Sequence, residues 1–320
     1  MHRAPHFDVA PFFSAGRNVL SRATIFASLR SMPPITRFAP SPTGYLHLGH
    51  AYSALFAYEA ARKANGRFLL RIEDIDPIRC KAEFSDALME DLRWLGLEWE
   101  EPVRRQSEHM ADYAEALARL RAMGLLYPCF CTRREIEAEA RGSAAAPHLP
   151  LAGPDGPVYP GICRQLDPEE RLQRLRANQA ANWRLDTAKA LAVTGPLFWT
   201  DRDAGRVAAA PLDFGDVVLA RKDVPTSYHL SVTVDDHLQG VTLVTRGKDL
   251  FRATDIHRLL QALLGYATPD YCHHALLTDE GGRRYAKRDR AVTLRALRDA
   301  GRSAREVWAM AARDATRRGS

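Results

Sequence analysis

The sequence predicts an α/β fold, a doubly wound parallel sheet of Rossmann type carrying a small metal-binding insert. Three observations predict it. A strand, a Pro-Ser-Pro-Thr-Gly turn, an apolar helix and a second strand follow one another between Ile35 and Ile72, the β-loop-α-β opening of a nucleotide-binding sheet. Strand and helix patterns continue to residue 278. Between them, Cys129, Cys131 and Cys163 bracket a proline-rich stretch.

Residues 1–34 carry Arg3, Arg17, Arg22 and Arg30 against a single acid, Asp8. They read as an N-terminal extension, either transit-like in composition or lying ahead of a true start at Met32, and stand outside the fold. Ile35 to Ala39 is a short strand, and the turn from Pro40 to Gly44 ends it because neither proline can join a ladder. From Leu46 to Lys63 apolar residues recur at helical spacing (Leu48, Ala51, Leu55, Tyr58, Ala61) until Asn65 and Gly66 stop the helix. Phe68 to Ile72 is the next strand, and Glu83 to Leu95 and Met110 to Met123 read as helices, which makes 35–128 the first half of the sheet domain. Residues 129–164 form the insert: Pro147, Pro150, Pro154, Pro157 and Pro160 crowd it, so it is expected to be built of loops. Residues 165–278 supply the second half, with short strands expected from Val217 to Val244, including Ser231 to Val234 and Val241 to Val244, and a helix from Asp255 to Leu264. Residues 279–320 are a polar basic loop and a closing basic helix.

A formal charge of +6 suits a polyanionic partner such as RNA. Hydrophobic residues at 46% and charged residues at 26% exclude wholesale disorder. No apolar run reaches the roughly 18 residues of a membrane span. An odd cysteine count without an export signal points to a reducing, cytoplasmic compartment.

The stretch from Arg37 to His50 carries the most chemistry. His47 and His50 fall at i and i+3 on the first turn of a helix that follows a strand. Free N–H groups and positive potential concentrate there, where the phosphates of ATP belong. Imidazole donors would stabilise an α-phosphate as it becomes pentacoordinate, and Gly49 lets adenine approach the backbone. His-x-x-His alone would more commonly describe a zinc pair or a buried polar pair. The preceding turn and the following Arg71-Ile-Glu-Asp-Ile-Asp76 make the combination specific.

His47-Leu48-Gly49-His50 resembles the HIGH motif of class I aminoacyl-tRNA synthetases. Arg37-Phe-Ala-Pro-Ser41, Arg71 to Asp76, Asp235-Asp-His-Leu-Gln-Gly240 and Thr245-Arg-Gly-Lys-Asp-Leu250 are similar to its glutamyl/glutaminyl branch. The resemblance spans roughly residues 35–290. It implies a class I synthetase catalytic domain that uses ATP with Mg²⁺. The second ATP motif of the family, KMSKS, corresponds to Arg284-Tyr-Ala-Lys-Arg288, which keeps cations at Arg284 and Lys287 but loses the hydroxyls. For L-glutamate the resemblance implies Arg37, Phe38, Ala39, Pro40, Ser41 and Glu73 with Tyr228 and Arg246. Glu73 would take the ammonium and the two arginines the carboxylates; which arginine reads which carboxylate stays open. His47, Gly49, His50, Arg284 and Lys287 would bind ATP, with His47, His50 and Lys287 catalytic.

Three thiolates within thirty-five positions suggest structural Zn²⁺. The family has a Cys-x-Cys…Tyr-x-x-x-Cys knuckle, which implies Tyr159 as fourth ligand beside Cys129, Cys131 and Cys163; His148 or water competes for that place. Only about thirty residues follow Lys287, too few for an anticodon-reading domain. The chain therefore resembles the truncated paralogues that attach glutamate to queuosine, the wobble base of tRNA(Asp), as a monomer away from membranes. A shortened glutamyl-tRNA synthetase acylating a 3′ end and a silent RNA-binding paralogue are the alternatives.

Overall fold

A computed structural model describes residues 32–142, 153–277 and 292–316. Ten strands run through them: β1 Ile35–Phe38, β2 Arg67–Ile72, β3 Glu100–Arg105, β4 Leu126–Cys129, β5 Asn182–Leu185, β6 Phe198–Asp201, β7 Gly205–Ala208, β8 Val218–Ala220, β9 Leu243–Gly247 and β10 Asp270–His274. The helices are α1 Leu48–Lys63, α2 Ala82–Trp94, α3 Met110–Ala122, α4 Arg133–Gly142, α5 Pro168–Arg176, α6 Thr187–Thr194, α7 Tyr228–Leu238, α8 Ala253–Leu264, α9 Leu294–Asp299 and α10 Ala304–Thr316.

β1, β2 and β3 pair in parallel in that order, and β9, β10 and β6 do likewise, with β7 added antiparallel at the edge. The two groups meet where the Thr242 amide donates to the Ile35 carbonyl at 3.0 Å, beside β1 and β9. The order 3-2-1-9-10-6 reverses direction there, so the crevice beyond the carboxyl ends of β1 and β9 is the switch point where ligands of such sheets bind. Successive strand residues face opposite layers: Leu70 packs with α1 and α2, and Leu69 with Val241, Val244 and Tyr271. A second, antiparallel sheet of β4, β5 and β8 carries the cysteine-bearing insert.

Two expectations are corrected. Ser231 to Val234 lies in α7 and not in a strand. Its alternation of Val232 and Val234 with Ser231 and Thr233 looks like a half-buried strand, but all four residues are buried. A helix enclosed on every side loses its 3.6-residue stripe. Ser231 and Thr233 then bond back to the carbonyls of Tyr228 and His229. The insert is likewise not all loop, because α4 follows Cys131. Its signal was Thr132-x-x-Glu135, whose side chains exchange hydrogen bonds with each other's amides as a capping box. Among the described residues, no helix is long and apolar enough to cross a membrane.

Candidate active site

The end of β1, the start of α1, Glu73, α7 and the end of β9 enclose one cavity of about 620 Å³. Its walls include Arg37, Phe38, Ala39, Pro40, Ser41, His47, Gly49, His50, Glu73, Tyr228 and Arg246. Every described residue that the sequence singled out for ATP or glutamate is thus brought together. Arg284 and Lys287 lie outside the described residues.

His47 is the N-cap of α1. Its Nδ1 accepts from the Gly49 amide at 3.1 Å, and the Nδ1 of His50 accepts from the His47 amide at 3.2 Å. An amide can only donate, so both neutral rings carry their proton on Nε2. The pair therefore presents imidazole N–H donors at a helix start, and the two rings lie tilted against each other with centroids 3.8 Å apart. A Cβ on Gly49 would press to 3.1 Å from the His47 ring, so the glycine also preserves that ring's place.

The two arginines have opposite surroundings. Arg37 donates to Asp236 through Nε at 2.9 Å and Nη2 at 3.3 Å, and to the Thr245 carbonyl through Nη1 at 3.1 Å. Asp236 also receives Arg71 Nη1 at 2.8 Å. Arg71 is fully enclosed and reaches Glu73 at 3.1 Å and Gln239 at 2.9 Å. Asp235, equally enclosed, accepts from Arg104, Gln106 and Tyr113. Three guanidiniums thus face three carboxylates. Burial pushes the Asp236 carboxyl up, but Arg37 and Arg71 outweigh it and hold the group below the usual range. For Glu73 burial wins over the same two arginines, and its carboxyl lies above the usual range.

Arg246, only 6% exposed, meets no carboxylate among the described residues. Its Nε donates to His273 Nε2 at 3.2 Å, Nη1 to the Tyr228 hydroxyl at 3.3 Å and to His257 Nδ1 at 3.2 Å, and Nη2 to Thr254 at 2.7 Å. Burial, and then Arg246, hold His257 well below its ordinary value and His273 near 4, so both rings are neutral. The sequence reading missed Asp236, His257 and His273. Asp235-Asp236 within a quoted motif was the available signal for the first; the histidines gave none.

In the insert, Cys129, Cys131 and Cys163 converge with every Sγ within 4.8 Å of the others. Cys131 Sγ lies 3.4 Å from Cys163 Sγ, and the Tyr159 hydroxyl lies 3.4 Å from Cys129 Sγ and 3.6 Å from Cys131 Sγ. These spacings are close to the ~3.7 Å edge of a tetrahedron with Zn–S bonds of ~2.3 Å, so the four donors fit such an ion. His148 lies outside the described residues. Cys80 is half-buried and Cys272 buried, both apart from this cluster.

Residues 35–313 match the family model described as tRNA synthetases class I (E and Q), catalytic domain. A glutamyl-Q tRNA(Asp) synthetase of Rhodobacter capsulatus is 51% identical over 85% of this chain and 98% of its own length. One from Symbiobacterium thermophilum is 43% identical over 85% and 83%. A crystal structure of a glutamate tRNA ligase from Elizabethkingia meningosepticum in complex with its amino acid superposes with a TM-score of 0.68 at 28% identity. That match covers 80% of this chain and 52% of the ligase, so this chain spans about half the ligase's length.

Proposed function

The chain belongs to the class I tRNA synthetases for glutamate and glutamine and is a ligase, and from that premise we propose that it activates L-glutamate with ATP and transfers it to queuosine at the wobble position of tRNA(Asp). The observation that carries the glutamate reading is Arg246, a buried guanidinium on the cavity wall surrounded by neutral groups. A buried cation without an anion is costly, and a substrate carboxylate removes that cost with charge-assisted hydrogen bonds. Tyr228 already accepts from Arg246, so its own O–H is left to donate to the same carboxylate. Glu73, held by Arg71 through one oxygen, suits the substrate ammonium.

In the first step a glutamate carboxylate oxygen bonds to the α-phosphorus of ATP and pyrophosphate leaves. The Nε2–H donors of His47 and His50 stabilise charge on the α-phosphate, with Lys287 and Arg284 as further cations and Mg²⁺ arriving with ATP. Catalysis is positioning and charge stabilisation, with no protein nucleophile. In the second step a hydroxyl of the queuosine cyclopentene-diol attacks the activated carbonyl and AMP leaves. Cys129, Cys131, Cys163 and Tyr159 would hold Zn²⁺, which when bound cross-links the insert. The acceptor reading is supported by relatives named glutamyl-Q tRNA(Asp) synthetase, which are 51% and 43% identical over 98% and 83% of their own lengths.

The test charges tRNA(Asp) from cells able and unable to make queuosine with labelled glutamate. Label is expected on the queuosine-containing RNA alone, to be abolished by periodate oxidation of the diol, and absent from tRNA(Glu). Equal charging of both tRNA(Asp) preparations, or label released with the terminal adenosine, would assign the 3′ end as acceptor.

A further inference from the structure

We propose that Asp201, acting through His273, and Asp155, acting through His229 and His257, are positioning residues that hold Arg246 as the receptor of the substrate carboxylate. The inference rests on the glutamate reading above and follows from the direction of each hydrogen bond. A guanidinium has no acceptor. His273 Nε2, 3.2 Å from Arg246 Nε, must therefore be a lone pair, and the ring proton sits on Nδ1, 2.8 Å from Asp201 Oδ2. His257 Nδ1, 3.2 Å from Arg246 Nη1, is likewise a lone pair. Its Nε2–H then points to His229 Nδ1 at 3.2 Å, which leaves His229 Nε2–H to donate to Asp155 Oδ2 at 3.0 Å. Each bond fixes the tautomer of the next ring, and both relays run from the arginine to a carboxylate.

The arrangement does what a direct partner cannot. Asp236 sits on Arg37 itself, through Nε and Nη2, and offsets the charge that a substrate carboxylate would otherwise meet. Across one or two neutral imidazoles, a carboxylate still lends negative potential and fixes the plane of the guanidinium, yet leaves its charge to be met by substrate. Asp201 and His273 are 2% and 1% exposed, so this relay is shielded from water. Asp155 is exposed and lies on the Gly153–Gly156 turn of the insert, four residues before Tyr159. The second relay thus ties the amino-acid site to the metal-binding arm, although the two are far apart in sequence.

Glutamate-dependent exchange of pyrophosphate into ATP, measured on the full chain, tests both relays. Asp155→Asn is expected to raise the glutamate KM about threefold and His273→Gln about tenfold, the range for a weakened charge-assisted hydrogen bond. The ATP KM and kcat should stay unchanged, and Asp155→Glu should restore the glutamate KM. Asp201 also accepts from the Asp203 and Ala204 amides in the β6–β7 turn, so His273→Gln, which leaves that turn intact, is the cleaner variant. A glutamate KM unmoved in both variants, or an ATP KM rising in step with it, would overturn the relays while normal wild-type exchange leaves the glutamate reading standing. A wild type with no glutamate-dependent exchange would overturn both.

Discussion

Arg37 and Arg246 stand at the carboxyl ends of strands β1 and β9, line the same cavity and are equally buried. Arg37 is paired with a carboxylate that Arg71 shares; Arg246 is ringed by a phenol, a threonine and two neutral imidazoles. The difference teaches what each guanidinium is for. Arg37 belongs to a buried ion network, and we propose that Arg246 keeps its charge for a ligand. Identical residue types in neighbouring motifs are therefore not interchangeable receptors, and their partners decide the roles.

The largest expected effect lies outside both arginines and serves as their control. Cys131→Ser should reduce zinc from one per chain to background by elemental analysis, and Tyr159→Phe should lose less, because thiolate is the better zinc ligand. Equal zinc in wild type and Cys131→Ser would remove the site. Arg37→Ala and Arg246→Ala should both keep their zinc.

Within the comparison, Arg37→Ala is expected to destabilise the fold by about 3–5 kcal/mol, because Asp236 loses one of its two cations inside the protein. Denaturant titration would measure it, and stability within about 1 kcal/mol of wild type would show that Arg37 is not structural. Arg246→Ala should leave stability close to wild type, since Arg246 pairs with no carboxylate among the described residues. It should instead raise the glutamate KM by roughly 10- to 100-fold, the loss of about 1.5–3 kcal/mol of charge-assisted bonding, with ATP binding retained. A normal glutamate KM in that variant would refute the assignment.

The smallest effect extends the contrast to carboxylates. Asp236 is held below its ordinary range by two guanidiniums, so its stabilisation is present above about pH 4 and is lost as pH falls through the folded value. Asp91 is the reverse case. Burial pushes it up to about 6, and Arg298, 3.4 Å away, only partly opposes the shift. Its ionised form therefore costs stability once pH rises through that value. Asp91→Asn is expected to stabilise the protein by about 1 kcal/mol near pH 8 and to make no difference below about pH 4. A destabilised variant near pH 8 would contradict that sign.

Much of the site was legible in the sequence because its residues are local. The imidazole pair, the turn before it and Glu73 fall within thirty-seven positions of Arg37, and spacing alone puts them at a helix start after a strand. Helix α1 and the first two strands were legible for the same reason. The roles of the two arginines were not, because Asp236 reaches Arg37 across 199 positions and His273 reaches Arg246 across 27. Only the sheet order brings those groups together. Helix α7 was misread because enclosure on every side erased its period, and α4 because attention to the prolines passed over the Thr132–Glu135 capping box.

The most direct test of the central claim is a crystal structure of the protein with L-glutamate bound. A substrate carboxylate is expected on Arg246 and the Tyr228 hydroxyl, with Arg37 still paired to Asp236 and the substrate ammonium on Glu73. A carboxylate bound to Arg37 with Asp236 displaced, and Arg246 untouched by the ligand, would contradict the account.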